Sequence, residues 1–467
     1  MGLFTFKEIR DVCDGRFSRS VPLTASVDEV VTDSRQPMKN ALFIALSGEK
    51  FDAHDYLADA VRNGARLLCV EAGKADKVPE GVFALLVESP LTAYQQLAGY
   101  HRKRFPNLKL AALTGSCGKT TTKEILRTIF EHAAGKEHVL ATEGNTNNQI
   151  GVPRNLLRLT EQHQFAVIEM GTNHHGEIEP LAEIAQPETS LIVSIGNCHL
   201  EFFINLDGVA VEKSHIFKPS SVRNAVFPQE CGGNGVIRKA ASDIARKITF
   251  GESPQSFIQV IYNGGNLDGS SFELVDTATG KKVSVQWNLT GRHQALNAGG
   301  AAAAALSLGI PLETIAEAIR QVQVPGFRMR RTMHGDALWI NDAYNGNPDS
   351  ICAALGWLSE FADPARLLLV LGDMGELGQE SLKGHMRVLS YAFDNLPGAR
   401  IAAVGKKMTE ALAVLDLTVK HEGVTFFPDA ASAVLPVREM AKPGDIVFLK
   451  GSRATGLEII EPEAGQE

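Results

Sequence analysis

LKLAALTGSCGKTTTKEILRTIF, residues 108–130, sets three patterns end to end. The apolar run LKLAALT has the length and composition of a buried strand. A turn bracketed by Gly115 and Gly118 follows, and then KTTTKEILRTIF, in which Ile125, Leu126 and Ile129 recur on one helical face. Strand, glycine turn and helix in this order make an anion site, because backbone N–H groups of the turn and the helix start converge on a negative ligand. Lys119 suits the β- and γ-phosphates of a nucleotide, and the Thr120 hydroxyl suits Mg2+. The strict GxxxxGK[ST] spacing is not met, since Leu113 stands five residues before Gly118. The shorter TGxxGKTT form keeps every required residue in order, and it predicts an ATP site over Thr114, Gly115, Ser116, Cys117, Gly118, Lys119, Thr120 and Thr121.

Outward from this loop the chain divides. Residues 1 to about 108 mix short strands and helices, and LTAYQQLAGYHRKRFP (91–106) has helical spacing up to Pro106, where an extended linker is expected. FAVIEMG (165–171) and SLIVSIGN (190–197) read as parallel strands, each running into a glycine. Residues 245–290 alternate as short strands, a β excursion at the edge of the second domain, and the Ala-rich stretch after them is a tightly packed helix. From about Pro325, ALWINDAY, LLLVLGDMG, IAAVGK and DIVFLKGS alternate with helical segments such as SICAALGWLSEF. That alternation implies a doubly wound α/β sheet whose ligands approach the carboxyl ends of its strands. The expected fold is α/β in three domains, 1–107, 108–323 and 324–467, which agrees with 467 residues at about 150 per domain.

Composition narrows the function. The 46 Lys and Arg against 54 Asp and Glu leave a net charge of −8, which argues against a general nucleic-acid binder. Six scattered cysteines with no CxxC pair suit a reduced protein with no disulfide framework. The N-terminus MGLFTFKEIRDVCDGRF lacks an apolar signal core, and no run reaches membrane-spanning length. A cytoplasmic monomer with no membrane segment is the expectation.

Further polar residues follow the second and third strands of the central unit. Glu169 closes the strand FAVIE, where it can hold Mg2+ or else cap the next helix. His199, in GNCHLE, is a metal ligand or a satisfied loop histidine. Cys198 beside it reads as packing, since no pattern supplies a base to activate it. Lys213, in VEKSHIF (211–217), reads on chemistry alone as a lysine on a solvated helix face. No DxxG or NKxD element stands in a usable position, which weakens a GTPase reading.

Together these segments resemble the ATP-dependent Mur ligase superfamily of peptidoglycan synthesis over nearly the whole chain. The family's TGTNGKTT-type loop stands here as TGSCGKTT, with Ser116 and Cys117 departing. EGNTNNQIGVP (143–153), with Asn147 and Asn148, resembles the substrate-side loop; EMGTNHHGEI (169–178) and IGNCHLEFF (195–203) resemble the metal-binding segments. The lysine that such ligases carry as a carbamate falls on Lys213, flanked by Ser214 and His215 where small residues are usual. GRHQALNAGGAAAAA (291–305) implies Asn297 as an adenine contact, and PGFRMRR (325–331) supplies Arg328. NDAYNGNPDS (341–350) resembles the DDxYNANPxS form of the branch that adds D-alanyl-D-alanine, and implies roles in ATP binding for Asp342, Tyr344 and Asn345. LGDMGELG (371–378) with His385, and LKGSRA (449–454), fit the same branch. TDSR (Asp33, Ser34, Arg35) and LFIALSGEKFDAHDY (42–56, with Gly48) resemble the part that grips UDP and the sugar. Without the resemblance, Tyr344, Asn345 and Asn347 read as a polar turn after a strand, Arg328 as a surface charge near a linker, and TDSR as a capped turn.

The resemblance implies an N-terminal UDP-sugar-binding domain, a central P-loop ATPase domain and a C-terminal Rossmann-like domain. It also implies an amide ligase joining D-alanyl-D-alanine to UDP-N-acetylmuramoyl-tripeptide through an acyl phosphate, with Lys119, Lys213, His199, Arg328 and Asp342 as the catalytic set. Two Mg2+ ions and carbamylated Lys213 are implied as well, with Thr120, Glu169, His199 and Lys213 in the metal shell. Arg328 and Asp342 reach the nucleotide only if the third domain closes over the second, which places a hinge near residues 322–326. The alternatives are another amide ligase of the superfamily, such as a folylpolyglutamate synthetase-like enzyme, and a regulatory nucleotide-binding module without ligase activity.

Overall fold

The computed structural model describes residues 2–48, 50–198, 200–323, 329–415 and 423–463. Three large sheets organise the described residues, each with its own apolar core, beside a two-stranded ladder of Phe4–Thr5 and Ser26–Val27. The first has five strands in the order Arg16–Phe17, Phe83–Val87, Ala65–Glu71, Ala41–Ile44, Glu29–Val31, all parallel except the first pair. Helix Phe6–Cys13 packs on it, started by a capping box in which the Thr5 N–H donates to Glu8 Oε2 (2.7 Å) and the Glu8 N–H donates to Thr5 Oγ1 (3.2 Å).

Helix Pro90–Lys103 ties the first unit to the second. Ser89 caps it and Pro90 opens it; Tyr94 and Leu97 enter the N-terminal core, while Ala98 enters the central one. Buried Arg102 donates to the carbonyls of Ala185 (3.0 Å) and Gln186 (3.2 Å), closing the C-terminal end of helix Ile178–Ala185. The extended linker expected at Pro106 is absent: the N–H groups of Arg104, Phe105 and Leu108 bond back three residues, so tight turns lead into the next strand.

The central sheet has nine strands, ordered Lys281–Trp287, Ser270–Asp276, Ile258–Gly265, Arg246–Gly251, Asn224–Pro228, Thr189–Ile192, Lys109–Thr114, Phe165–Glu169, Val139–Ala141. The last seven of these are parallel, and the first two extend the sheet as an antiparallel meander. The alternating stretch after residue 245 is therefore a continuation of the main sheet, and Ser270–Asp276 alternates buried and half-buried residues throughout. Helix Arg292–Ser307 lies against it at close range: a Cβ on Gly299 would meet Val260 at 2.4 Å. Lys109–Thr114 sits between Phe165–Glu169 and Thr189–Ile192: the chain leaves it toward Val139–Ala141 on one side, returns through Phe165–Glu169, and crosses to Thr189–Ile192 on the other. That switch point puts the turns after all three strands on one crevice.

The third sheet runs Arg330–His334, Ala337–Asn341, Ile446–Lys450, Leu367–Gly372, Arg400–Val404, Val424–Phe427, parallel after an antiparallel first hairpin. Helices Pro348–Leu358, Ser381–Asn395, Lys406–Val414 and Ala430–Met440 alternate with its strands, the doubly wound pattern expected from sequence. Of the expected hinge, residues 324–326 lie outside the described residues.

Candidate active site

Strand Lys109–Thr114 delivers the glycine turn to the crevice, and helix Lys119–Ala134 leaves it with no side chain capping its first turn. Gly118 holds φ +79°, and a Cβ there would lie 2.3 Å from Asn297 Oδ1, so both conformation and space demand glycine. Lys119 Nζ donates to the Gly115 carbonyl at 2.6 Å, which lays the ammonium over the turn. Ser116 and Cys117 are knitted to the next strand's exit. Ser116 Oγ accepts from the Gly196 N–H (2.9 Å), and Ser194 Oγ accepts from the Cys117 N–H (2.9 Å). Thr114 and Thr121, on either side of the turn, are buried.

Glu169, buried at its strand end, meets Thr120 Oγ1 at 3.3 Å and the Asn147 amide at 2.8 Å, both through Oε1. Its own N–H donates to Thr142 Oγ1 (3.0 Å), and buried Lys123 holds the Thr142 carbonyl (2.9 Å). Oε2 of Glu169 is buried with no hydrogen-bond partner. A desolvated carboxylate oxygen in that condition is costly unless a cation meets it, and with the Thr120 hydroxyl beside it the donors are the hard oxygens Mg2+ prefers. Glu169 does not cap the following helix. Glu212 does so, accepting from the N–H groups of Gly176 (2.8 Å), Glu177 (3.0 Å) and Ile178 (3.0 Å).

The next residue, Lys213, is 1% exposed on helix Leu206–Ser214, so the solvated-face reading is wrong. Burial pushes its ammonium down to about 8; the nearby Lys119 cation adds to the depression, and Cys198, Cys117 and Glu212 partly oppose it. Cys198 packs with Leu200, Phe203 and Val209, as expected for a core thiol. His199 lies outside the described residues, as does Arg328.

The facing wall comes from the third sheet. Asp342 pairs with Lys450, whose Nζ also donates to the Asn345 carbonyl at 3.2 Å. Arg453 stacks over the Tyr344 ring at 5.6 Å. His293, pushed down to about 4 by burial, lies near Asp342 and Lys450, and the Asn297 amide donates to Gln294 Oε1 at 3.0 Å. All three units line one cleft of about 1230 Å³, above the range of an ordinary single-ligand pocket. Gly48, Asn147 and Asn148 line it; Asp33, Ser34 and Arg35 are not among its lining. Asn148 Oδ1 accepts from the N–H groups of Ile150 (3.1 Å) and Gly151 (2.9 Å). Arg35 folds back on Asp33 in a two-bond fork (both 2.8 Å), and that fork holds the Asp33 carboxyl down at about 2.

Two family models match the chain, the Mur ligase middle domain over residues 113–305 and the Mur ligase glutamate ligase domain over residues 327–453. The UDP-N-acetylmuramoyl-tripeptide–D-alanyl-D-alanine ligase of Haemophilus influenzae is 36% identical over 443 residues, covering 92% of each chain. The chain belongs to the Mur ligase family. MurF from Acinetobacter baumannii superposes on this Mur ligase with a TM-score of 0.86 at 33% identity, over 98% of this chain and 97% of that one. MurF from Thermotoga maritima, solved in complex with ADP, shares the fold at TM-score 0.78 and 24% identity, over 92% and 96% of the two chains.

Several residues of this Mur ligase site carry no strong local signal. Lys450 ends a parallel strand within LKGSRA, and a lysine closing such a strand is the one local hint of its place in the cleft. The bond from Asn147 to Glu169 places it beside the buried strand-end carboxylate, a position its sequence neighbours do not reveal. Glu212 and Asp349 act on backbone N–H groups 34 or more residues away, which no spacing reveals.

Among the described residues no helix is long and apolar enough to cross a membrane. All six cysteines are unpaired thiols.

Proposed function

We propose that this Mur ligase joins D-alanyl-D-alanine to the terminal carboxylate of UDP-N-acetylmuramoyl-tripeptide with ATP, through an acyl phosphate. The observation that carries the reading is the shared cleft: the Lys119 turn on one side, and Asp342, Asn345 and Lys450 from the third sheet on the other. The likeness to ligases of that name over nearly the whole chain supports the choice of substrates.

A carboxylate cannot be attacked directly, because oxide is too poor a leaving group. The γ-phosphoryl group of ATP passes to the tripeptide carboxylate and ADP departs. The amine of D-alanyl-D-alanine then adds to the acyl carbon, loses a proton, and inorganic phosphate leaves. Positioning and charge neutralisation dominate such a transfer. In this reading Lys119 and the amides of residues 115–119 hold the phosphates, and Thr114, Ser116, Cys117 and Thr121 shape the turn. Asn297 meets adenine, while Arg328, Asp342, Tyr344 and Asn345 complete the nucleotide site when the third domain closes. Thr120, Glu169, His199 and a carbamate on Lys213 would hold Mg2+, two ions in all, which when bound neutralise charge on the phosphates. Asp33, Ser34, Arg35, Gly48, Asn147 and Asn148 serve the UDP-sugar and its peptide. The domains divide at 107/108 and 323/324, and the enzyme works as a cytoplasmic monomer.

Phosphate release from ATP with UDP-N-acetylmuramoyl-tripeptide, with and without D-alanyl-D-alanine, tests the reading. Release that needs both substrates is expected. Equal or better turnover with diaminopimelate, lysine or glutamate in place of the dipeptide would assign the enzyme to another branch.

A further inference from the structure

Asp349 occupies the first turn of helix Pro348–Leu358, where a carboxylate ordinarily serves only the helix dipole. Its two oxygens are engaged elsewhere. Oδ2 accepts the N–H of Asn197, in the central unit, at 2.8 Å, and Oδ1 pairs with Arg387 at 2.6 Å. Gly196 makes room for this approach, since a Cβ there would lie 2.4 Å from Asp349 Oδ2. Gly196 is in turn bonded to Ser116 of the phosphate turn, and two residues before Asp349 the Asn347 side chain meets Cys117 Sγ at 3.0 Å. One helix start therefore sits on both the phosphate turn and its neighbouring strand exit. A carboxylate lining a cleft for a polyanion opposes binding by charge alone, so its bond to a backbone N–H across the domain boundary needs another reason.

We infer that Asp349 is a positioning residue for the ligation: its bond to Asn197 seats the C-terminal domain on the phosphate-turn platform and so sets Asp342, Asn345 and Lys450 opposite Lys119. The inference rests on the ligase reading above and adds a residue to which that reading gave no part. Arg387 offsets the carboxylate's charge and fixes its rotamer.

The test compares Asp349→Ala, Asp349→Asn and Gly196→Ala in the full chain, with wild type as the control. Asp349→Ala should lower kcat for ligation at least tenfold, leave the calorimetric Kd for ADP within threefold, and leave the melting temperature within a few degrees. Asp349→Asn, whose carbonyl still accepts the Asn197 N–H, should recover kcat to within threefold of wild type. Gly196→Ala displaces the carboxylate, so its loss should not multiply with that of Asp349→Ala in the double variant. Asp349→Ala at wild-type kcat, Asp349→Asn as poor as Asp349→Ala, or multiplying losses would each overturn the inference. A wild-type enzyme without ligation would instead overturn the ligase reading.

Discussion

The Asn147 amide donates to Glu169 Oε1 at 2.8 Å, while Oε2 of the same carboxylate is buried with no partner. One oxygen is thus fixed by the protein and the other is desolvated without return, an arrangement that a cation would complete. Glu169→Gln keeps the shape and the Oε1 contacts but removes the charge. The Mg2+ concentration giving half-maximal ligation should rise at least about tenfold, equivalent to about 1.4 kcal/mol of lost metal affinity. A Mg2+ titration unchanged from wild type would remove Glu169 from the metal shell.

Lys119→Ala should separate chemistry from folding. The ammonium makes one charge-assisted bond within the turn, to the Gly115 carbonyl, so its loss costs stability only about 1–2 kcal/mol. In the proposed reaction it neutralises charge during phosphoryl transfer, so kcat should fall by at least about 100-fold. Circular dichroism and a thermal melt close to wild type, beside phosphate release below that limit, is the expected pair of results. Substantial ligation by the purified variant would contradict the role given to the turn.

The phosphate turn was legible because everything that defines it is local: an apolar strand, two glycines, a lysine and an amphipathic helix within 23 residues. Four of the six strands of the third sheet were legible for the same reason, as apolar runs ending in Gly or a polar residue; Arg330–His334 and Val424–Phe427, the mostly uncovered edge strands, were not. Lys213 was not. Its helix Leu206–Ser214 has no distinct apolar face, so nothing in the periodicity says the lysine points inward. Resemblance alone singled it out. Glu212, Asp349 and the Lys450–Asp342 pair escaped for a further reason, since each joins segments far apart in the chain. His385 was picked out with the LGDMGELG segment, and the structure gives it a bracing position. Asp373 of that segment likewise accepts the N–H of Met408 (2.9 Å) at the start of helix Lys406–Val414.

Lys213→Ala tests whether the lysine acts as an oxygen ligand carrier. A carbamate forms when the neutral amine adds to CO2 and loses a proton, converting a cation into a carboxylate-like group suited to Mg2+. Truncation should abolish most ligation while leaving a small cavity, and short carboxylic acids such as acetate should restore part of the rate in a saturable manner. Rescue by acetate but not by a matched chloride concentration is the expected outcome. Rescue by chloride to the same degree would mean that charge screening, and not an oxygen ligand, had been lost.

His385 makes a further prediction, on pH. It is fully buried; Nε2 accepts the Met374 N–H at 2.8 Å and Nδ1 donates to the Ser381 carbonyl at 2.7 Å, which specifies the neutral ring. Burial depresses its pKa, with Lys407 adding to the depression and the Ser381 bond, Asp373 and Glu410 partly opposing it. Between the depressed native value and the ordinary value of about 6.5, the unfolded chain binds more protons than the folded one. The histidine's contribution is therefore fully present above about pH 6.5 and is lost as the pH falls below it. The melting temperature should drop between pH 7.5 and pH 5.5, before most carboxylates titrate. His385→Gln, which cannot bind a proton, should melt lower at pH 7.5, because a buried bond to Met374 or Ser381 is lost. Its further drop on acidification should be smaller than that of wild type, with buried His101 supplying part of what remains. Parallel drops in the two proteins would show that His385 does not couple proton uptake to unfolding.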